Sequence, residues 1–148
     1  ELARKEKFAD PSMRGSDFTI LCEASTPSIE TKQKFLSILE SPKSLYSNST
    51  LRMIAGSLFP HGQKNLQREL NYRILGAIDS AEKFRDDSFL NVYVKSVINT
   101  NCDEQSIKQI QEYISNRKNL RPGLKKNLLN LIDTENSCIV VRKKFEFL

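Results

Sequence analysis

The chain has 148 residues, 39% apolar and 28% charged, and a net charge of +5. That is enough for one domain with a real core and too little for two large ones. The balance excludes disordered and collagenous classes, and no run approaches the roughly 18 apolar residues that a bilayer span needs.

Helical spacing governs almost every segment. The N-terminus, Glu1-Leu2-Ala3-Arg4-Lys5-Glu6-Lys7, carries no apolar signal core and no initiator Met. It reads as entering in mid-helix, as a piece of a longer protein would. Phe18, Leu21 and Cys22 form one short face. Thr26 is the expected N-cap of the next helix, with Pro27 at its first position and Ile29, Leu36 and Leu39 on one side. Leu51, Ile54, Ala55 and Leu58 follow at i, i+3, i+4 and i+7. Leu66, Leu70, Ile74, Ala77, Ile78 and Ala81 extend a stripe over about four turns. Phe89, Val92, Tyr93 and Val97 repeat it, as do Ile107, Ile110 and Ile114. The last segment runs from Pro122 towards Phe145, with Leu124, Leu128, Leu131, Ile132, Cys138 and Val141. Val92-Tyr93-Val94 and Ile139-Val140-Val141 are β-prone, yet each lies inside a longer helical pattern.

Breakers punctuate these segments at Pro11, Gly15, Pro27, Pro42, Pro60, Gly62 and Pro122-Gly123. Polar runs at Asp86-Asp87-Ser88 and from Asn99 to Asp103 do the same through side-chain caps. The reading is all-α: one domain over residues 1–148, an irregular array of about eight antiparallel helices in HEAT-like hairpins that recur roughly every 35–40 residues.

Cys22, Cys102 and Cys138 are odd in number and far apart in the chain. They predict no disulfide framework and no metal-ligand spacing, and so an intracellular, cytoplasmic setting with thiols packed like small hydrophobes. Asn48-Ser49-Thr50 fits a glycosylation sequon, a pattern common by chance. The charge excess is confined to one end. Residues 1–116 balance 15 basic against 15 acidic groups, whereas residues 117–148 hold eight basic groups and three acidic ones. Such an end is a solvated helix face, a nucleic-acid patch or a site for an anionic group.

Catalytic chemistry is largely missing. His61 is the sole histidine, in the junction Phe59-Pro60-His61-Gly62, so a zinc site built from a His pair is excluded. Phosphate-binding glycine loops and the GxSxG elbow are absent. Acidic pairs Asp86-Asp87 and Asp103-Glu104 stand at expected helix starts, where the macrodipole accounts for them. No catalytic residue and no cofactor is assigned to this chain on its own.

The order of certain residues resembles the C-terminal helical domain of aminopeptidase N, the gluzincin zinc metallo-aminopeptidases. Asp10-Pro11-Ser12, Arg14-Gly15 and Cys22-Glu23-Ala24 are followed by Pro27 and Lys32. Asn48, Leu51-Arg52, Ala55-Gly56, Leu58-Phe59-Pro60, Gln63 and Leu66 come next. The likeness runs from about residue 10 to about residue 130. Arg52, the Leu-Phe-Pro corner and Gln63 carry most of it. Departures are the missing Trp residues and the last fifteen positions, which resemble nothing in particular.

The resemblance implies a parent enzyme that removes N-terminal residues from peptides with one zinc ion. Its HExxH motif and third ligand would lie in a separate catalytic domain of the same polypeptide. It further implies a bowl of paired helices over the active-site chamber, limiting peptide access and excluding water. Within such a chamber three residues are candidates to bind substrate: Arg52, Arg121 and Arg142. Arg52, off the apolar face of its helix, is either a structural tie or a chamber-lining group. Arg121 and Arg142 could hold a peptide carboxylate in a planar fork. They lie about 31 Å apart if helical, so one of them at most would serve one ligand. Alternatives are a helical-repeat adaptor that binds a protein partner in its concave face, and a nucleic-acid binder using the basic end. Nucleic acid is disfavoured because Phe145 and Phe147 are too few and too terminal to form stacking platforms. A membrane partner is not expected.

Overall fold

The computed structural model describes Lys5 and residues 13–98 and 102–145, apart from the side chains of 13–16. Asp10-Pro11-Ser12, the Asn99–Asn101 stretch and Phe147 therefore lie outside the described residues. The chain is all-α. Eight helices and no strand occur among the described residues: α1 (Met13–Ala24), α2 (Ile29–Glu40), α3 (Asn48–Ser57), α4 (Lys64–Glu69), α5 (Asn71–Phe84), α6 (Asp87–Ser96), α7 (Glu104–Ser115) and α8 (Pro122–Phe145). None of them is long and apolar enough to cross a membrane.

Side-chain caps set the starts of α2, α3, α6 and α7. Ser47 accepts from the Thr50 amide at 3.1 Å, and Asp86 from the Phe89 amide at 2.7 Å. Asp103 caps α7 through the Gln105 amide at 3.3 Å. The start of α2 departs from expectation. Its cap is Ser28, not Thr26, because Thr26 Oγ1 bonds back to the Cys22 carbonyl while Ser28 Oγ accepts from the Thr31 amide. Pro27 consequently precedes the cap. Gly15 does not break the chain but lies within α1. The long stripe from Leu66 to Ala81 is divided at Leu70, a turn residue between α4 and α5 that stays buried, so the apolar face continues through the break. The expected face of α1 is not buried: Phe18 and Cys22 are exposed and Leu21 is half-buried, whereas Ala24 is fully enclosed.

The helices pack in two rows. One holds α1, α3, α6 and α8 side by side; the other holds α2, α5 and α7. Members of the first row begin at Met13, Asn48, Asp87 and Pro122, which is the period read from the sequence. The closest packing therefore joins a helix to a later one rather than to its immediate successor, most of all α3 to α6 and α6 to α8. Only α7 and α8 are close partners in direct succession. Between the rows lies a continuous core that includes Leu36, Leu51, Ile54, Ile78, Phe89 and Tyr93. Tyr93 is wholly buried and its hydroxyl donates to the Ile74 carbonyl at 3.0 Å, which satisfies its one polar atom.

Candidate functional site

Some of the residues behind the resemblance, among them Ala24, Lys32, Leu58, Phe59 and Gln63 but not Arg52, meet at one junction of α1, α2 and α3. Lys32 sits on the buried face of α2 with no solvent exposure. Its Nζ donates to the carbonyl of Ala24, the last residue of α1, at 2.8 Å, and to the carbonyl of Leu58, just past α3. The ammonium also lies 5.4 Å from the centre of the Phe59 ring. Two helix C-termini, each with unsatisfied carbonyls and a partial negative charge, thus share one cation. Among the described residues no carboxylate pairs with it, and burial pushes its pKa down to about 8. Gln63 closes the junction by donating from Nε2 to the Ser25 carbonyl at 2.7 Å, and Ser25 Oγ reaches the Ser57 carbonyl at 3.0 Å.

Two of the three candidate arginines converge on the start of α6. Arg52 projects from α3 and donates from Nη1 to Ser88 Oγ at 3.0 Å. Arg121 approaches from the start of α8. Its guanidinium donates to the carbonyls of Glu82 and Arg85, at the end of α5, and reaches Asp87 Oδ1 at 3.3 Å. Its backbone amide donates to Glu82 Oε1 at 2.7 Å. The planar fork is turned onto a helix C-terminus, where a cation is favourable. Arg142 does not join them; it is exposed on the last turn of α8 with Lys143 and Lys144. The structure therefore brings Arg52 and Arg121 to flanking positions around residues 85–88 and leaves Arg142 at the far end.

A second buried charge occupies the other end of the array. Glu135 is 2% exposed on the core face of α8. Its Oε2 accepts from the Cys102 amide at 2.6 Å, ahead of α7. Burial raises its pKa, and the hydrogen bonds from the backbone of Cys102 and Asp103 oppose that rise. Cys102 and Cys138 form a disulfide, with Cα atoms 5.4 Å apart. This overturns the expectation of unpaired, separately packed thiols. Distance along the chain misleads here, because α7 and α8 run the intervening segment out and back. Cys22 alone is a free thiol, and it is exposed.

Beside Glu135 and Cys138 a cavity of about 470 Å³ opens between α6 and α8, with Val94, Lys95, Asn130 and Leu131 in its walls. A cavity of about 360 Å³ lies on the other side of Lys95, lined also by Phe59, His61 and Lys64. His61 is exposed in a turn closed by Gly62, whose φ of +98° suits glycine. Among the described residues no group of three or more His, Cys, Asp or Glu could hold a metal ion. The chemistry on view is structural: charges are matched to helix ends and carbonyls.

Lys32 and Glu135 were not singled out as charged core positions from the sequence. A signal was present for both. Lys32 falls between Ile29 and Leu36 on the apolar face of α2, and Glu135 continues the stripe Leu128, Leu131, Ile132 of α8. A charge inside an apolar stripe must find a polar partner there. No family model matches the chain, and no curated protein is significantly similar to it.

Proposed function

We propose that this chain is the C-terminal helical domain of a zinc aminopeptidase, a cover over the active-site chamber that limits peptide access and contributes no catalytic residue. The observation that carries the reading is the junction around Lys32. Ala24, Lys32, Leu58, Phe59 and Gln63 stand among the residues behind the resemblance, at positions up to 39 residues apart, and they touch one another or neighbouring backbone in a single knot, whereas Arg52 lies outside it. Residues that act together in three dimensions form a pattern that a family would keep for its fold. The two-row packing of the helices suits a HEAT-like cover.

In this reading the zinc ion and its ligands belong to the catalytic domain of the same polypeptide, and the substrate is a peptide. The ion would activate the attacking water there. This chain's part is to enclose, so that water is excluded and long substrates are held back. Arg52 and Arg121 brace the cover at the start of α6. The cytoplasmic expectation rested on unpaired cysteines, and the Cys102–Cys138 bond removes that support.

The upstream coding sequence tests the proposal directly. HExxH with a downstream Glu on the following helix is expected. Without that motif, the adaptor that holds a protein partner in its concave face takes its place. The chain alone should be mostly helical by circular dichroism, bind no zinc stoichiometrically and cleave no aminoacyl substrate. Turnover by the chain alone that survives a chelator control would overturn the division of labour.

A further inference from the structure

The end of the array around Glu135 combines four features that the covering role does not use. A disulfide joins Cys102, just ahead of α7, to Cys138 on α8. Cys102 has φ +52°, the only non-glycine in the left-handed region among the described residues. A side chain rarely adopts that conformation unless its surroundings impose it. The surroundings here are Glu135, whose carboxylate holds the Cys102 amide at 2.6 Å. Finally, the 470 Å³ cavity between α6 and α8 has Glu135 and Cys138 in its wall, whereas Cys102 is not part of that lining. Cys138 thus lines a cavity, and Cys102, half-buried like its partner, is held on a braced backbone outside that lining.

We propose that the Cys102–Cys138 bond is a thiol-exchange site for small thiols, entered through the cavity between α6 and α8. The incoming thiolate attacks Cys138 Sγ. The new sulfur–sulfur bond joins the small thiol to Cys138, the bond to Cys102 breaks, and Cys102 leaves as a thiolate that takes a proton from solvent. Two outcomes follow. Cys102, again as thiolate, attacks Cys138 Sγ and expels the small thiol, or a second small thiolate attacks the bound small thiol's sulfur, its bond to Cys138 breaks, and Cys138 leaves as a thiolate that takes a proton while the symmetric disulfide departs. In the second case two small thiols are oxidised and the protein bond is reduced, so electrons balance. Glu135 is a positioning residue. By holding the Cys102 amide it keeps the departed sulfur opposite Cys138, which favours return over the second attack. The cavity volume suits a ligand of tripeptide size or less, so the probe is glutathione. This inference is independent of the aminopeptidase reading.

The experiment uses the oxidised chain with Cys22→Ser, because the exposed Cys22 would react in any case. Glutathione is added in native buffer, and thiols are followed by mass spectrometry. The expected reduction rate rises linearly with glutathione thiolate without a plateau, while far-UV circular dichroism stays native, and the adduct maps to Cys138. A rate that plateaus at the unfolding rate of the chain would overturn the proposal, because the bond would then be reached only by unfolding. An adduct that maps to Cys102, or a chain that shows no disulfide when isolated under air, would overturn it too. Glu135→Ala should raise the steady-state mixed disulfide about tenfold at a fixed glutathione concentration. An unchanged level removes Glu135 from the scheme. Cys102→Ser, if it folds, should take up glutathione from glutathione disulfide at Cys138, releasing one glutathione thiol, and should hold that adduct because no Cys102 thiolate can expel it; should it not fold, the rate law of the parent chain decides alone.

Discussion

The two ends of the array solve the same problem with opposite charges. At the α1–α3 end a buried lysine is satisfied by carbonyls at two helix C-termini. At the α7–α8 end a buried glutamate is satisfied by backbone N–H groups ahead of a helix start. Each charge meets the pole of the helix dipole that suits it. The difference lies in what holds the surroundings in place. Lys32 ties its own walls together, since the helices it bridges cannot separate without leaving carbonyls unpaired. Glu135 receives from a short segment with little apolar surface of its own, and a covalent bond fixes that segment instead. A buried charge is therefore a staple where it spans two helices and a passenger where it spans one helix and a loop.

Breaking the disulfide should have the largest effect. A cross-link across 36 residues constrains the unfolded chain by about 3–4 kcal/mol in the loop-entropy treatment. Cys138→Ser should lower unfolding stability by that amount in urea titration, with loss concentrated in α7 by hydrogen exchange. A loss under about 1 kcal/mol would mean that the noncovalent contacts of Glu135 suffice, and the contrast between the two ends would weaken.

Lys32→Met comes next. It keeps the bulk and strands two buried carbonyls, each at about 1–3 kcal/mol, so a loss of about 3 kcal/mol is expected. Relief from burying a charge offsets part of it. Stability equal to that of the parent chain would show that the cation is tolerated and not a staple.

pH sharpens the comparison, because the two charges drive stability in opposite directions. The folded chain releases the Lys32 proton near pH 8, whereas an unfolded lysine keeps its proton to 10.5. Between those values the unfolded state binds more protons, so the Lys32 contribution makes stability rise with pH. Glu135 has its folded pKa raised above 4.5. Between 4.5 and that raised value the folded state binds more protons, so its contribution makes stability rise as pH falls. Asp103 adds to that rise in pKa and Lys64 opposes it. Urea midpoints across pH, taken as differences from Lys32→Met and from Glu135→Gln, should show slopes of opposite sign. Slopes of the same sign would break the symmetry.

The arginine ties should be smaller. Arg121→Ala removes donors from the end of α5 and should cost about 1–2 kcal/mol. Arg52→Met removes one half-exposed bond to Ser88 and should cost about 0.5 kcal/mol. An Arg52→Met variant of unchanged stability, together with altered KM in the parent enzyme, would move Arg52 from brace to chamber wall.

Periodicity alone determined the helices, because a 3.6-residue apolar stripe and a capping side chain are local properties. The segments were legible as apolar stripes, although the stripe from Leu66 to Ala81 is two helices, Gly15 lies inside α1 and the expected face of α1 is not buried; helix starts at Met13, Asn48, Asp87 and Pro122 keep the spacing of roughly 35–40 residues. Local chemistry also placed Asp86 and Asp103 at helix starts. What the sequence could not decide was which distant groups meet. The pairing of Cys102 with Cys138, the seat of Lys32 between two helix ends, and the turn of Arg121 onto α5 all depend on how rows of helices close. Apolar burial drives that closure without direction or address, so only the packed structure names the partner each buried charge finds.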